Sequence, residues 1–279
     1  MSVKVAVRVR PFNSREKELD CNLCVSMVES TTTLIHPDDV EKKRDFTFDY
    51  SFWSHDDFHT DENGYFQPIS DKYADQQKVF DLLGKQVLDN AWEGYHCCLF
   101  AYGQTGSGKS YSMVGYGANK GIVPISMQEI FERIDKNTDP NISFEVSFSM
   151  LEIYNERVQD LLIPVKERPH EGLKVREHQK YGVYVDGLTK HAVDSYLSIE
   201  AKMEEGSKNR TIGSTMMNAS SSRAHTIMAI EFKKIEIIDK KKTERFSVIN
   251  LVDLAGSEKV AKSGATGDRL KEGLPSLIH

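Results

Sequence analysis

Apolar and polar positions alternate from the start of the chain. In "VKVAVRVRPF", residues 3–12, every second residue from Val3 to Val9 is valine, and the pattern stops at Pro11, which reads as a strand. Short β-rich pieces follow within residues 25–50, among them "STTTLIH" and the start of "RDFTFDYSFW". Residues 54–64 are polar and acidic and read as a loop. Over residues 74–94, Val79, Phe80, Leu83, Val87 and Leu88 recur at helical spacing and predict an amphipathic helix. "HCCLFAY" (96–102) is a short apolar run between Gly94 and Gly103, the pattern of a buried strand. Residues 124–135 read as helix, "ISFEVSFSMLEIY" (142–154) as a long strand and "NERVQDLL" (155–162) as a short helix. A β-excursion over 173–188 and a helix over 196–208 come next. "TIMAIEFKKIEII" and "RFSVINLVDLAG" then form two strands around the turn "DKKKTE", and residues 257–279 are polar and short. Strands alternating with helices predict an α/β layered fold with a mostly buried central sheet.

A chain of 279 residues is long enough for one large α/β domain or two smaller ones. With 39% hydrophobic and 28% charged residues, collagen-like, coiled-coil and disordered classes are excluded. No apolar run approaches the roughly 20 residues of a membrane helix, and the first residues lack a secretory core. The net charge of −6 argues against a general nucleic-acid partner while leaving room for a local basic face. Cys21 and Cys24 form a CxxC with no second pair, so they read as unpaired thiols, and Cys97 and Cys98 read as core. This usage fits a reducing, cytoplasmic compartment.

The chemistry concentrates in "GQTGSGKS": Gly103, Gln104, Thr105, Gly106, Ser107, Gly108, Lys109 and Ser110. The string matches the phosphate-binding loop G-x-x-x-x-G-K-[ST], and an apolar strand precedes it while a helical start follows. Glycines let backbone N–H groups approach phosphates closely. The lysine reaches the β- and γ-phosphates, and the serine hydroxyl ligates Mg²⁺. "SVINLVDLAGSE" (247–258) is an apolar strand ending in Asp253, the placement of a carboxylate on the Mg²⁺ side of such a loop.

"VRVRP", "FAYGQTGSGKSYSM", "LEIYNERVQDLL", "NASSSRAH" and "LVDLAGSE" occur in this order, and together they resemble the kinesin motor domain over residues 3 to about 273. "FDYSFW", "YGVYVDGL" and "RLKEG" look most like the kinesin-3 transport class. The resemblance implies an α/β, three-layer P-loop NTPase whose central, mostly β-sheet is flanked by helices. It implies an ATPase, stimulated by microtubules and coupled to movement along them, in the cytoplasm on the cytoskeleton, with ATP and Mg as ligands and no membrane segment. Arg8 and Pro11 match the motif that flanks adenine, and Tyr111 falls where a ring stacks on it. Asn218, Ser221, Ser222, Arg223 and His225 match switch I. There Ser222 would contact Mg²⁺ and the γ-phosphate, and Ser221 would hold the lytic water. Asp253, Gly256 and Glu258 match switch II, with Asp253 reaching Mg²⁺ through water, the Gly256 N–H sensing the γ-phosphate, and Glu258 pairing with Arg223 to close the site.

Two departures from the family stand out. Ala224 replaces a serine of switch I. After "RLKEG" the chain reads "LPSLIH", an atypical tail over 270–279. The resemblance therefore implies a motor domain incomplete at its C-terminus, without a strand expected between those of residues 3–10 and 96–102. Microtubule contacts would then fall to Lys174, Arg176 and Lys180, and to Lys262, Arg269 and Lys271. A non-motile interaction protein, or an incomplete gene product, that keeps the nucleotide motifs is the alternative reading.

Overall fold

The computed structural model of the chain describes residues 3–179, 182–216 and 223–258. They fall into two units, Met1–Asp81 with Tyr116–Lys120, and Leu82–Gly115 with Gly121–His279.

In the first unit, β1 (Ala6–Val9) and helix α1 (Ser14–Glu18) open the chain. Asn13 caps α1: its side chain accepts the Glu16 N–H, and the Glu16 carboxylate accepts the Asn13 N–H. Strands β2 (Val25–Val28), β3 (Thr31–His36) and β4 (Asp39–Thr47) form an antiparallel sheet, and β5 (Tyr50–Trp53) pairs in parallel with β1. The acidic stretch after Trp53 is not all loop, since β6 (Phe58–Thr60) pairs with β7 (Phe66–Pro68). Helix α2 (Gln76–Val79) begins at Asp75, whose side chain accepts the Lys78 N–H. Along the chain the helix predicted over 74–94 continues through a π turn, Phe80–Gly84, into α3 (Lys85–Trp92), which belongs to the second unit.

The second unit is built on one sheet. Its elements are β8 (Cys97–Ala101), α4 (Lys109–Met113), α5 (Ile122–Asp135), β11 (Ile142–Tyr154), β12 (Arg157–Asp160), β13 (Lys174–His178), β14 (Gly182–Asp186), β15 (His191–Val193), α6 (Tyr196–Met216), β16 (His225–Ile238) and β17 (Lys241–Asp253). Two short strands, β9 (Gly115–Tyr116) and β10 (Asn119–Lys120), lie in the chain between α4 and α5. The strand order is β12-β11-β16-β17-β8, with β15 also on β11. The β17–β8 pair is parallel and the others are antiparallel.

Register decides which residues share a face. Phe148 faces Ile230, which faces Ile249; Met150 faces Met228, which faces Leu251, which faces Leu99. The first six of these are buried. Helices cover this face: Trp92 of α3 stacks on Phe232 at 4.5 Å between ring centroids, and Gly206 of α6 packs so close to Met150 that a Cβ would collide with its sulfur. Leu151, Ile227 and Val252 line up on the opposite face, packed with Val158 and against Leu173, Val185, Leu188 and Leu254.

Three local expectations change. "NERVQDLL" does not form a helix. Asn155 and Glu156 take left-handed φ values of 50° and 62°, the chain reverses, and Tyr154 pairs with Arg157. The edge of β11 offers a pairing that buries Val158 and Asp160, and this outweighs the helical propensity of the segment. The reversal after β16 is likewise tight. It uses Asp239 and Lys240, with φ of 48° and 63°, so the strands run on through most of "DKKKTE". Cys97 and Cys98 are not core: Cys98 is exposed and Cys97 half-buried. Their strand pairs with β17 alone among the described residues, and Cys98 and Phe100 alternate onto the face opposite the helices.

The Asn155–Glu156 turn is directly testable. A side chain in the left-handed region costs about 1 kcal/mol that glycine avoids, part of which returns as unfolded-state entropy. Glu156→Gly is therefore expected to raise stability by about 0.5 kcal/mol, read as a higher urea midpoint with an unchanged m-value. Destabilisation would contradict the left-handed turn.

Candidate active site

The site grows from the ends of two neighbouring strands. Ala101 pairs with Asp253 at the ends of β8 and β17, and both chains leave the sheet there. After β8 the loop Gly103–Gly108 leads into α4. Gly108, immediately before α4, has φ 96°, a conformation that strains any residue with a Cβ. Lys109 folds back on its own loop, its ammonium donating to the carbonyls of Gly103 at 2.9 Å and Gln104 at 3.0 Å. Ser110, the next residue of α4, donates its hydroxyl to Asp253 Oδ2 at 2.5 Å.

Asp253 is 5% exposed, and its other oxygen, Oδ1, has no hydrogen-bond partner among the described residues. The hydroxyl of Thr226, which faces Asp253 in the register, is buried and equally unpartnered. A buried polar atom without a partner costs about 1–3 kcal/mol, so two at adjacent positions require an explanation. A hydrated divalent cation beside Ser110 and Asp253 would supply one, and the hard oxygen donors suit Mg²⁺.

The segment after Asp253 is tied down almost atom by atom. The Leu254 N–H donates to the Ala101 carbonyl at 3.3 Å, and the Ser257 N–H to the Gly103 carbonyl at 3.1 Å. The Ala255 N–H donates to Nδ1 of His225, the first residue of β16, at 3.1 Å. A ring nitrogen that accepts is unprotonated, so His225 carries its proton on Nε2. Burial pushes the His225 pKa down in the same sense, partly opposed by the Asp253 carboxylate. The Gly256 N–H donates to none of the described residues. Gly256 itself is buried, and a Cβ there would collide with the Thr105 hydroxyl and the Glu258 carboxylate.

Glu258 closes the arrangement. Its carboxylate accepts the Thr105 N–H at 2.9 Å and also the Thr105 hydroxyl. An anionic oxygen pair thus rests on donors of the glycine-rich loop. Arg223 is exposed, and the Glu258 carboxylate rests on Thr105.

Of the residues expected at the site, the loop Gly103–Ser110, Asp253, Gly256 and Glu258 come together. Ser221 and Ser222 lie outside the described residues, as do Asn218, Lys180, Lys262, Arg269, Lys271 and the tail 270–279. Tyr111 sits on α4, half-buried. In the first unit, Arg8 donates to Ser54 Oγ at 2.9 Å, Gln76 Oε1 at 2.7 Å and the Ala74 carbonyl at 3.3 Å. Lys174 and Arg176 lie on exposed β13, where Arg176 pairs with Asp186 at 2.6 Å. Sequence reasoning missed Thr226, because a threonine in a strand reads as an ordinary β-former. It also missed the part taken by His225, which it had placed in the switch I motif without a task.

A glycine-rich loop between a strand and a helix, with its Ser110 on the carboxylate of the neighbouring parallel strand, defines a P-loop nucleotide-binding fold. The profile of the kinesin motor domain matches residues 8–275, and the chain belongs to that family. Kinesin-like protein KIF28 of Rattus norvegicus is 50% identical over 274 residues, covering 98% of this chain and 26% of that protein. Kinesin-related protein 1 of Dictyostelium discoideum is 47% identical over 288 residues, covering 98% of this chain and 12% of that one. The chain thus spans about a quarter of KIF28, or less of such relatives. KIF13A and KIF1A, of the kinesin-3 class, match at similar identity, in line with the expected class. A solved structure of a KIF14 fragment with ADP, in complex with a microtubule, superposes with a TM-score of 0.79 at 39% identity, covering 99% of this chain and 75% of that one.

Gly256→Ala tests the crowding around Glu258. The added methyl is expected to push the carboxylate off Thr105 while leaving the sheet intact. Amide exchange at Thr105 should then speed up about tenfold, with the melting temperature within a few degrees of the parent. Unchanged exchange at Thr105 would show that the carboxylate does not rest there.

Proposed function

We propose that residues 1–279 form the nucleotide-hydrolysing part of a microtubule motor, in which ATP hydrolysis drives movement along the cytoskeleton in the cytoplasm. The observation that carries this reading is the contact of Ser110 with Asp253 beside the glycine-rich loop, joined to the family assignment. The KIF14 structures with ADP and AMP-PNP on microtubules support it by similarity.

In this reading the loop N–H groups and Lys109 bind the phosphates, the lysine leaving the Gly103 and Gln104 carbonyls to do so. Ser110 and Asp253 are suited to hold Mg²⁺, Asp253 through water, and the switch I motif adds Ser222; when bound, the ion would neutralise phosphate charge. The Gly256 N–H turns to the γ-phosphate, and Ser221 holds the attacking water. Closure moves Glu258 from Thr105 to Arg223 and shuts out bulk water. Arg8, Pro11 and Tyr111 are assigned to adenine by motif; the N–H edge of Arg8 is already hydrogen-bonded, so its flat face is the part suited to stacking. Lys174 and Arg176, with Lys180, Lys262, Arg269 and Lys271, are cations suited to the acidic surface of tubulin.

Lys109→Ala is expected to abolish Mg·ATP binding in isothermal titration, because it removes the loop's own side-chain cation. An unchanged affinity would end the nucleotide reading. For closure, Arg223→Ala and Glu258→Ala should each keep ATP binding but lose hydrolysis by about 10²-fold or more. The double variant should be little worse than either single one, since the two act as a unit. Additive losses in a double-mutant cycle would separate them.

A further inference from the structure

The backbone between Asp253 and Glu258 poses a question that the motif leaves open. Three of its N–H groups are satisfied by the protein, those of Leu254, Ala255 and Ser257, while the one between Ala255 and Ser257 is left over. Two of the three acceptors are carbonyls, of Ala101 and Gly103, on the strand and loop next to the segment. The third is a side chain, His225 Nδ1, from the strand that follows switch I. A carbonyl acceptor comes with the fold, whereas a side-chain acceptor at this position depends on one residue type. His225 lies two residues after Arg223 and one before Thr226, which faces Asp253. It is the one described side chain that hydrogen-bonds the backbone of residues 254–257.

We infer that His225 is a positioning residue: by accepting the Ala255 N–H on Nδ1 it fixes the Leu254–Ala255 peptide, the one before the peptide that carries the Gly256 N–H, and so helps to aim that N–H at an incoming terminal phosphate. The inference rests on the nucleotide reading above. Its physical content is orientation. Fixing the N–H groups of residues 254, 255 and 257 holds the peptides on both sides of the Ala255–Gly256 plane, so its one remaining motion is rotation about the line joining the Cα atoms of Ala255 and Gly256. Its N–H then meets a phosphate oxygen without first losing a protein partner. The same bond links the two switches. A shift of the Arg223 segment carries His225 with it and reaches the Gly256 peptide through Ala255. The neutral ring suits this task, because an acceptor at Nδ1 is needed and a protonated imidazole has none.

The test compares His225→Ala, His225→Asn and His225→Gln in the 279-residue chain. Asparagine places Oδ1 where Nδ1 sits, whereas the glutamine oxygen falls near the Nε2 position. Two readouts are used: amide exchange at Ala255 and Gly256, and the ratio of affinities for a non-hydrolysable ATP analogue and ADP by titration calorimetry. The alanine variant is expected to lose protection at Ala255 and about tenfold of its preference for the triphosphate, with ADP affinity within about twofold of the parent. Asparagine should restore both properties and glutamine neither. Unchanged preference and protection in the alanine variant would overturn the inference. So would equal behaviour of the asparagine and glutamine variants, which decides the matter if the alanine variant does not fold. If the parent chain binds neither nucleotide, the nucleotide reading fails and the aiming role fails with it. Exchange at Ala255 then reports on the His225 bond alone.

Discussion

The parallel pairing of β8 with β17 is the constraint on which the site depends. Its register sets Ala101 against Asp253, so two strands of distant sequence end side by side and their following loops start from the same edge of the sheet. This is the usual place for a ligand in an open α/β sheet, outside the carboxyl ends of parallel strands. A one-residue slip would turn Asp253 to the opposite face and break its contact with Ser110. The slip is opposed by the apolar ladders above the site, where Met228, Leu251 and Leu99 must share the helix-covered face. Core packing therefore fixes a polar contact at the rim.

Around that contact the site is a set of hydrogen-bond donors and acceptors whose partners can change. Lys109 rests on carbonyls of its own loop, and Glu258 rests on Thr105. Each contact uses a charged group that the proposed chemistry needs elsewhere, Lys109 on phosphate and Glu258 on Arg223. Such charge-assisted bonds are stronger than neutral ones, so exchanging one for another has a small net free energy compared with breaking either outright. A site of this kind can change state at low cost. The orphaned Oδ1 of Asp253 and the Thr226 hydroxyl complete the picture, being buried polar atoms with no hydrogen-bond partner among the described residues.

The local string decided much of this protein by itself. The 13-residue strand of Ile142–Tyr154 and the helix expected over 124–135 could be read from periodicity, because burial on one face leaves a period of two or of 3.6 in the sequence, whereas the alternating valines form a strand only over Ala6–Val9, with Val3 and Val5 exposed. The loop Gly103–Ser110 was legible because few residue types tolerate its backbone and its chemistry. Asp253 could be read because it ends an apolar run.

Tertiary structure decided the rest, and in each case the reason is a partner distant in sequence. "NERVQDLL" became a turn and a strand because the edge of β11 was available to it. Among the described residues β8 pairs on one side and Cys98 and Phe100 are exposed, which an apolar run cannot announce. Glu258 lies on Thr105, 153 positions away, and His225 meets Ala255 across the ends of two strands. A motif names the residues of a site, but which donor meets which acceptor is fixed by strand register and packing, and these are properties of the folded chain.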